Sequence, residues 1–187
     1  MEYRRQPMAD YDAELARLIA THRNALLRYA MRRLDDRDAA DDLVAETFVV
    51  AWRRRDRLPP RDEELFWLYG IARRVLANSL RARRRSLRLE SRLAFERENA
   101  VETPRYDDDD IRRLVAALGH LRPGDRELLE LTYWERLSYR QIGLVVGCSE
   151  KAAGVRISRA RQHLRELLES PAGTGDVVRL FDTGTEQ

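Results

Sequence analysis

Apolar side chains recur at three- and four-residue steps through most of this chain. The series runs from Tyr11, Leu15, Leu18, Ile19, His22, Leu26, Tyr29 and Ala30 near one end to Ala153, Ile157, Ala160, Leu164, Leu167 and Leu168 near the other. That period gathers them on one face of an α-helix and does not match the two-residue alternation of a half-buried strand. Only 9 Gly and 6 Pro occur among 187 residues, too few for the closely spaced turns of an all-β fold. Hydrophobic residues make up 43% of the chain, enough to build a core and too many for a chain disordered throughout. The pattern predicts an all-α protein.

Breaks in the period divide the chain. The first helix ends at Asp35–Asp36, and a second begins near Asp38, with Leu43, Val44, Phe48, Val49, Ala51 and Trp52 as its apolar positions. Pro59–Pro60 cannot continue a helix, so Arg53 to Asp62 is a loop. A third helix is expected from about Glu63 to Arg88, with Asp62, Glu63 and Glu64 suited to its N-terminal dipole. The period then fades and the chain reaches Tyr106 and four consecutive aspartates, a solvated linker by composition. Further helices are expected near 109–119, 124–135, 138–146 and 149–168, and the remainder forms a Gly- and Thr-containing tail. The predicted organisation is two small helical domains, 10–90 and 109–169, joined by an acidic flexible linker over 91–108 and followed by a tail over 170–187.

Several function classes are already excluded or disfavoured. One cysteine, Cys148, rules out an internal disulfide framework and any multi-thiolate metal site. His22, His120 and His163 form no paired ligand motif, and no Gly-rich phosphate loop is present. A nucleic-acid enzyme, a cofactor and a metal are therefore not expected. No run approaches the roughly 18 apolar residues of a membrane span, and the first twelve residues lack the apolar core of a secretory signal. A cytoplasmic protein is expected.

The charge is distributed in blocks. Residues 1–100 carry 22 Arg against 17 acidic residues, 101–110 carry one Arg against five, and 111–170 carry 11 basic residues against seven. Two basic blocks flanking an acidic joint suit two modules that face polyanions. Of the 35 basic residues only Lys151 is a lysine, a bias that a GC-rich coding sequence produces without functional cause.

Two surfaces follow from helical geometry. On the third helix, at about 100° per residue, Arg74, Asn78, Arg81, Arg85 and Arg88 share a narrow sector with Trp67. Leu65, Leu68, Ala72, Val75, Leu76 and Leu80 fall opposite. An aromatic ring beside a row of arginines suits single-stranded nucleic acid, which needs a stacking platform next to a phosphate track. A core Trp67 beside a merely solvated Arg face fits the same pattern. Farther on, Ser138 and Gln141 have capping-box spacing, Gly147 suits a left-handed turn, and Ser149 is placed to cap the helix that follows. In that helix Lys151, Val155, Ser158, Arg159 and Gln162 point away from the apolar stripe, with Arg156 and Arg161 on its flanks. This is a helix-turn-helix pattern whose second helix offers side chains to base edges and phosphates in a major groove. A packed αα-hairpin is the plainer alternative.

Two stretches carry a family resemblance. Leu65 to Asn78 (LFWLYGIARRVLAN), preceded by Asp41 to Phe48 (DDLVAETF), resembles region 2 of the extracytoplasmic-function (ECF) sigma factors. Leu131 to Ile142 (LTYWERLSYRQI), followed by Ser158 to Arg161 (SRAR), resembles region 4 of the same family. The resemblance implies a sigma factor that recruits core RNA polymerase to promoters and promotes initiation by recognising −10 and −35 elements and melting the duplex. It implies polymerase contacts at Asp41, Asp42 and Glu46. Contacts to the opened −10 element would come from Arg55, Arg57, Arg61, Trp67, Arg74, Asn78 and Arg81. Contacts to the duplex −35 element would come from Lys151, Val155, Arg156, Ser158, Arg159 and Arg161. The acidic linker resembles the family's connector through the RNA channels of polymerase, where its charge would mimic RNA; a solvated spacer is the alternative. Members of the family are commonly held inactive by an anti-sigma protein, so such a partner is implied as well. The competing reading is a stand-alone regulator whose helix-turn-helix binds a palindrome as a dimer.

The chain departs from the family pattern in places. Arg74 stands where Asn is usual and Ala45 where Gln is usual. Gly143 replaces a usual Ala, and Ala152 and Gly154 stand where Thr and a basic residue are common. Glycine within a helix costs about 0.8–1.0 kcal/mol relative to Ala, so Gly154 is expected to permit close backbone approach to DNA.

Overall fold

The computed structural model describes residues 8–93 and 109–169. Among the described residues are seven α-helices: α1 (Met8–Met31), α2 (Arg37–Arg53), α3 (Glu64–Leu93), α4 (Asp109–His120), α5 (Pro123–Tyr133), α6 (Tyr139–Val146) and α7 (Glu150–Glu169). A single 3₁₀ turn, Arg55–Arg57, follows α2, and no strand occurs among the described residues. The fold is all-α, with two compact units, the first holding α1 to α3 and the second holding α4, α5 and α7. α3 continues to Leu93, three residues into the stretch expected as linker. The rest of the expected linker, residues 94–108, and the expected tail lie outside the described residues, as do the side chains of Arg85 and Arg88.

Local chemistry sets the helix boundaries. The Asp36 carboxylate accepts from the N–H groups of Asp38 and Ala39 at 3.2 and 3.3 Å, capping α2. Pro123 occupies the first turn of α5, where its missing N–H removes no helical bond. The Ser138 hydroxyl accepts from the Gln141 N–H at 3.3 Å while the Gln141 side chain accepts from the Ser138 N–H at 2.9 Å, a closed capping box ahead of α6.

In the first unit Leu18, Leu26, Tyr29 and Ala30 of α1, Leu43, Val44, Phe48 and Ala51 of α2, and Leu68, Ile71, Ala72 and Val75 of α3 are buried. Burial of each large side chain stabilises the unit by about 1.5–3 kcal/mol. Tyr29 and Tyr69 stack with ring centroids 5.0 Å apart. The buried face of α3 differs from its sequence-based expectation. Tyr69 and Ile71 join it, whereas Leu80, 43% exposed, lies outside it. α1 and α2 cover α3 only through about its first three turns, and Leu80 lies beyond them.

Glu64 is the larger departure. A first-turn acid suits the helix dipole from a solvated position, yet the Glu64 side chain is only 2% exposed. It pairs with the Arg17 guanidinium and stands 3.1 Å from His22 Nε2, both on α1. Arg17 also donates to Glu14 at 2.8 and 3.1 Å. That bond holds the Glu14 carboxyl below its ordinary pKa and raises Arg17 above its own. A depressed carboxylate pKa adds stability at neutral pH that is lost as pH falls through the folded value. Replacing Glu64 with Ala should lower the unfolding free energy by about 3 kcal/mol, because Arg17 and His22 would stay behind without their buried partner. Urea denaturation measures this, and a loss below about 1 kcal/mol would place the cluster among weak surface pairs.

Candidate functional site

The first unit presents an acidic face and a cationic face. On α2, Asp42 and Glu46 are exposed and form no ion pair among the described residues. Asp41 is half-buried, 2.8 Å from Arg23 of α1 and 3.9 Å from Arg37. These acids adjoin a feature that helical periodicity did not reveal. Leu15 and Ile19 of α1 and Phe48, Val49 and Trp52 of α2 line an open apolar groove of about 710 Å³, whose wall also includes Arg23, Asp41 and Asp42. Val49, grouped by its period with the α2 core, is 47% exposed there. The signal in the sequence was an apolar stripe on α2 wider than α1 and α3 together can cover.

The cationic face starts in the loop after α2. Arg55, Arg57 and Arg61 are exposed. The Arg55 guanidinium lies 4.9 Å from the Trp52 ring centroid, and its Nη1 donates to the Trp52 carbonyl at 3.2 Å. On α3, Arg74, Asn78 and Arg81 are exposed at steps of four and three residues, hence on one face. Arg81 Nη2 donates to Asn78 Oδ1 at 2.8 Å, so the amide and the guanidinium are held together. Trp67, two turns before Arg74 on that face, is half-buried: part of its surface joins the packing and part stays open.

In the second unit Ala117 of α4, Leu121 just after it, Leu129 of α5, and Ala160, Leu164 and Leu168 of α7 form one core. Ala153 and Ile157 are buried at the start of α7 as well. With that stripe inward, Lys151, Val155, Arg156, Ser158, Arg159 and Gln162 are all exposed on α7. Val155 is 45% exposed, an apolar contact among polar and cationic ones. The turn before α7 is tightly built. Gly147 adopts φ +76°, the left-handed region, and the Ser149 hydroxyl accepts from the Ala152 N–H at 3.2 Å. The Cys148 N–H donates to the Gly143 carbonyl at 2.9 Å.

Two glycines owe their place to this packing. A Cβ on Gly143 would come 2.7 Å from the Cys148 carbonyl oxygen, so the turn closes against bare backbone. A Cβ on Gly154 would come 3.2 Å from the Tyr139 ring, so Gly154 faces α6. The space a side chain at Gly154 would need is taken by the Tyr139 ring. Arg161 departs from the other arginines of α7: it is half-buried, beside Tyr133 and Tyr139. Burial raises the Tyr133 phenol pKa against the lowering influence of Arg161.

Among the described residues no group of three or more His, Cys, Asp or Glu side chains is arranged to hold a metal ion. No described helix is long and apolar enough to cross a membrane.

Both units match known families. Residues 18–86 match sigma-70 region 2, and residues 111–164 match sigma-70 region 4. The RNA polymerase sigma factor CarQ of Myxococcus xanthus is 33% identical over 152 residues, covering 81% of this chain and 87% of CarQ. The ECF RNA polymerase sigma factor EcfG of Rhodopseudomonas palustris is 30% identical over 161 residues, covering 83% and 87%. The chain belongs to the ECF sigma factors of the sigma-70 family. Among solved structures, this sigma factor is similar to RpoE of Bartonella quintana in its complex with the anti-sigma factor NepR. The TM-score is 0.56 at 28% identity, over 87% of this chain and 98% of RpoE. The acidic groove side of the sigma factor and its α3 cationic face fall within the region 2 match, and the α6–α7 pair falls within region 4.

Replacing Gly143 with Ala in this sigma factor should be destabilising by about 1–2 kcal/mol, because the opposing atom is backbone and cannot rotate away. Thermal denaturation followed by circular dichroism checks it; a higher melting temperature would mean that the turn relaxes and helix propensity wins.

Proposed function

We propose that this sigma factor recruits core RNA polymerase to selected promoters and opens them through binding energy, with no catalytic chemistry of its own. The observation that carries the reading is the exposed polar and cationic face of α7 behind a capped, glycine-closed turn, in a chain whose other unit carries a separate arginine face. Under this reading residues 10–90 act as region 2, 91–108 as the connector, 109–169 as region 4 and 170–187 as a tail.

Asp41, Asp42 and Glu46 are proposed to meet polymerase. Their position beside an apolar groove suits a partner helix carrying both basic and apolar side chains, with charge fixing register and apolar burial supplying affinity. Arg55, Arg57, Arg61, Trp67, Arg74, Asn78 and Arg81 are proposed to hold the opened −10 strand. Guanidiniums would neutralise phosphates while the open part of Trp67 stacks on a base. A base drawn out of the duplex and held there makes strand opening favourable without nucleotide hydrolysis. Lys151, Val155, Ser158 and Arg159 are proposed to read the −35 duplex, with Arg156 on phosphate. Such a protein works in the cytoplasm beside polymerase. An anti-sigma partner is proposed from the likeness to RpoE in its complex with NepR.

Reversing both Asp42 and Glu46 to Arg should weaken binding to core polymerase at least tenfold, the scale of a lost close charge pair, and leave duplex binding unchanged. Pull-down against core polymerase, alongside duplex titration, reads both; equal loss of the two activities would point to misfolding. Replacing Arg159 with Ala should reduce affinity for an upstream-element duplex by about 1–3 kcal/mol. Unaltered affinity would show that this side chain does not enter the groove.

A further inference from the structure

Arg161 is the one arginine of the SRAR segment that folds back onto its own unit. Arg159 is exposed, whereas Arg161 is half-buried. Its guanidinium carbon lies 5.4 Å from the Tyr133 ring centroid at the end of α5. Its Nη1 donates to the Tyr139 phenol oxygen on α6 at 3.4 Å, and its Nε is buried with no hydrogen-bond partner among the described residues. The Tyr139 ring rests in turn against Gly154 of α7, where a side chain would crowd it. Three helices of the motif therefore meet around one cation. The half-buried guanidinium reaches one tyrosine through its ring and another through its hydroxyl, two contacts that the planar, multi-donor Arg head makes together and the single ammonium of Lys does not reproduce.

We propose that Arg161 is a positioning residue: through Tyr133 and Tyr139 it sets the angle at which α7 enters the groove, and it does not neutralise a phosphate. This replaces its sequence-based expectation and rests on the reading of α7 as the −35 recognition helix. The leverage comes from length. Lys151 lies about 15 Å from Arg161 along the helix axis at 1.5 Å per residue, so a tilt of a few degrees at Arg161 moves Lys151 by about an ångström. A base-edge hydrogen bond does not tolerate such a shift easily, whereas a screened phosphate contact does.

The test uses the full chain and two short fluorescent duplexes: one that the wild-type chain selects from a randomised pool, and a scrambled duplex of the same composition. Affinities are measured over a range of KCl concentrations, and folding is checked by melting temperature. Arg161→Gln, Arg161→Lys and the milder Tyr139→Phe should each reduce the preference for the selected duplex by about fivefold or more, the discrimination of one base contact. The double variant Arg161→Gln/Tyr139→Phe should lose no more than Arg161→Gln alone. In all of them the slope of log affinity against log salt should stay at the wild-type value. Arg156→Ala is the contrast, expected to reduce that slope by about one while keeping the preference. A slope reduced by about one in Arg161→Gln with preference intact, or full preference retained by Arg161→Lys, would overturn the proposal. If the wild-type chain selects no duplex at all, the −35 reading fails and takes this proposal with it. That outcome is distinct from a discriminating wild type whose Arg161 variants discriminate equally well, which overturns the positioning role alone.

Discussion

A buried carboxylate joins the first turn of α3 to the middle of α1: Glu64 meets Arg17 and His22, and the packing of Leu68, Ile71, Ala72 and Val75 continues from there. Once that turn is tied and that stripe is inward, the rotation of α3 about its axis is settled. Arg74, Asn78 and Arg81 then have nowhere to point but outward. The tie also fixes where the helix starts, immediately after the loop that carries Arg55, Arg57 and Arg61. A cluster of this kind needs every member, since a carboxylate out of water without its partners would be strongly unfavourable.

The second unit solves the same problem without a buried ion pair at its turn. There the inward stripe of α7 sets its rotation, and a backbone contact too close for a side chain at Gly143, a left-handed turn at Gly147 and a tight ring contact at Gly154 shape its junction with α6. Gly143 admits the Cys148 carbonyl, Gly147 supplies a left-handed residue, and Gly154 admits the Tyr139 ring. Helix-turn-helix geometry thus comes from what is missing at three glycines as much as from what is present. The helix-propensity cost of Gly154 is offset by the seat it provides for Tyr139.

Helix placement was largely legible from one dimension. Asp36, Ser138 with Gln141, Ser149 and Gly147 act within a few residues of themselves, and the helices begin or end beside them as expected. The outward face of α7 was legible too, because a single strong apolar stripe leaves one complementary side. Less legible was every residue whose environment depends on a second helix. Leu80 and Val49 keep the right period and are exposed, since period reports which residues share a face and not how far a neighbour reaches. The groove beside Asp41 and Asp42 exists only in the packed chain, for the same reason.

Residue order alone established the helical class, the division into two cationic modules and the motifs that place the chain among the ECF sigma factors. Those properties rest on local propensity, spacing and charge, which survive in a string of letters. Tertiary structure decided which charges are buried and which are offered. Glu64 and Arg161 look like surface residues at their positions in the sequence, and each turns inward because partners 42 and 22 residues away stand within hydrogen-bonding distance. Whether a charged group is solvated or enclosed is a property of the space around it, and only the packed chain defines that space.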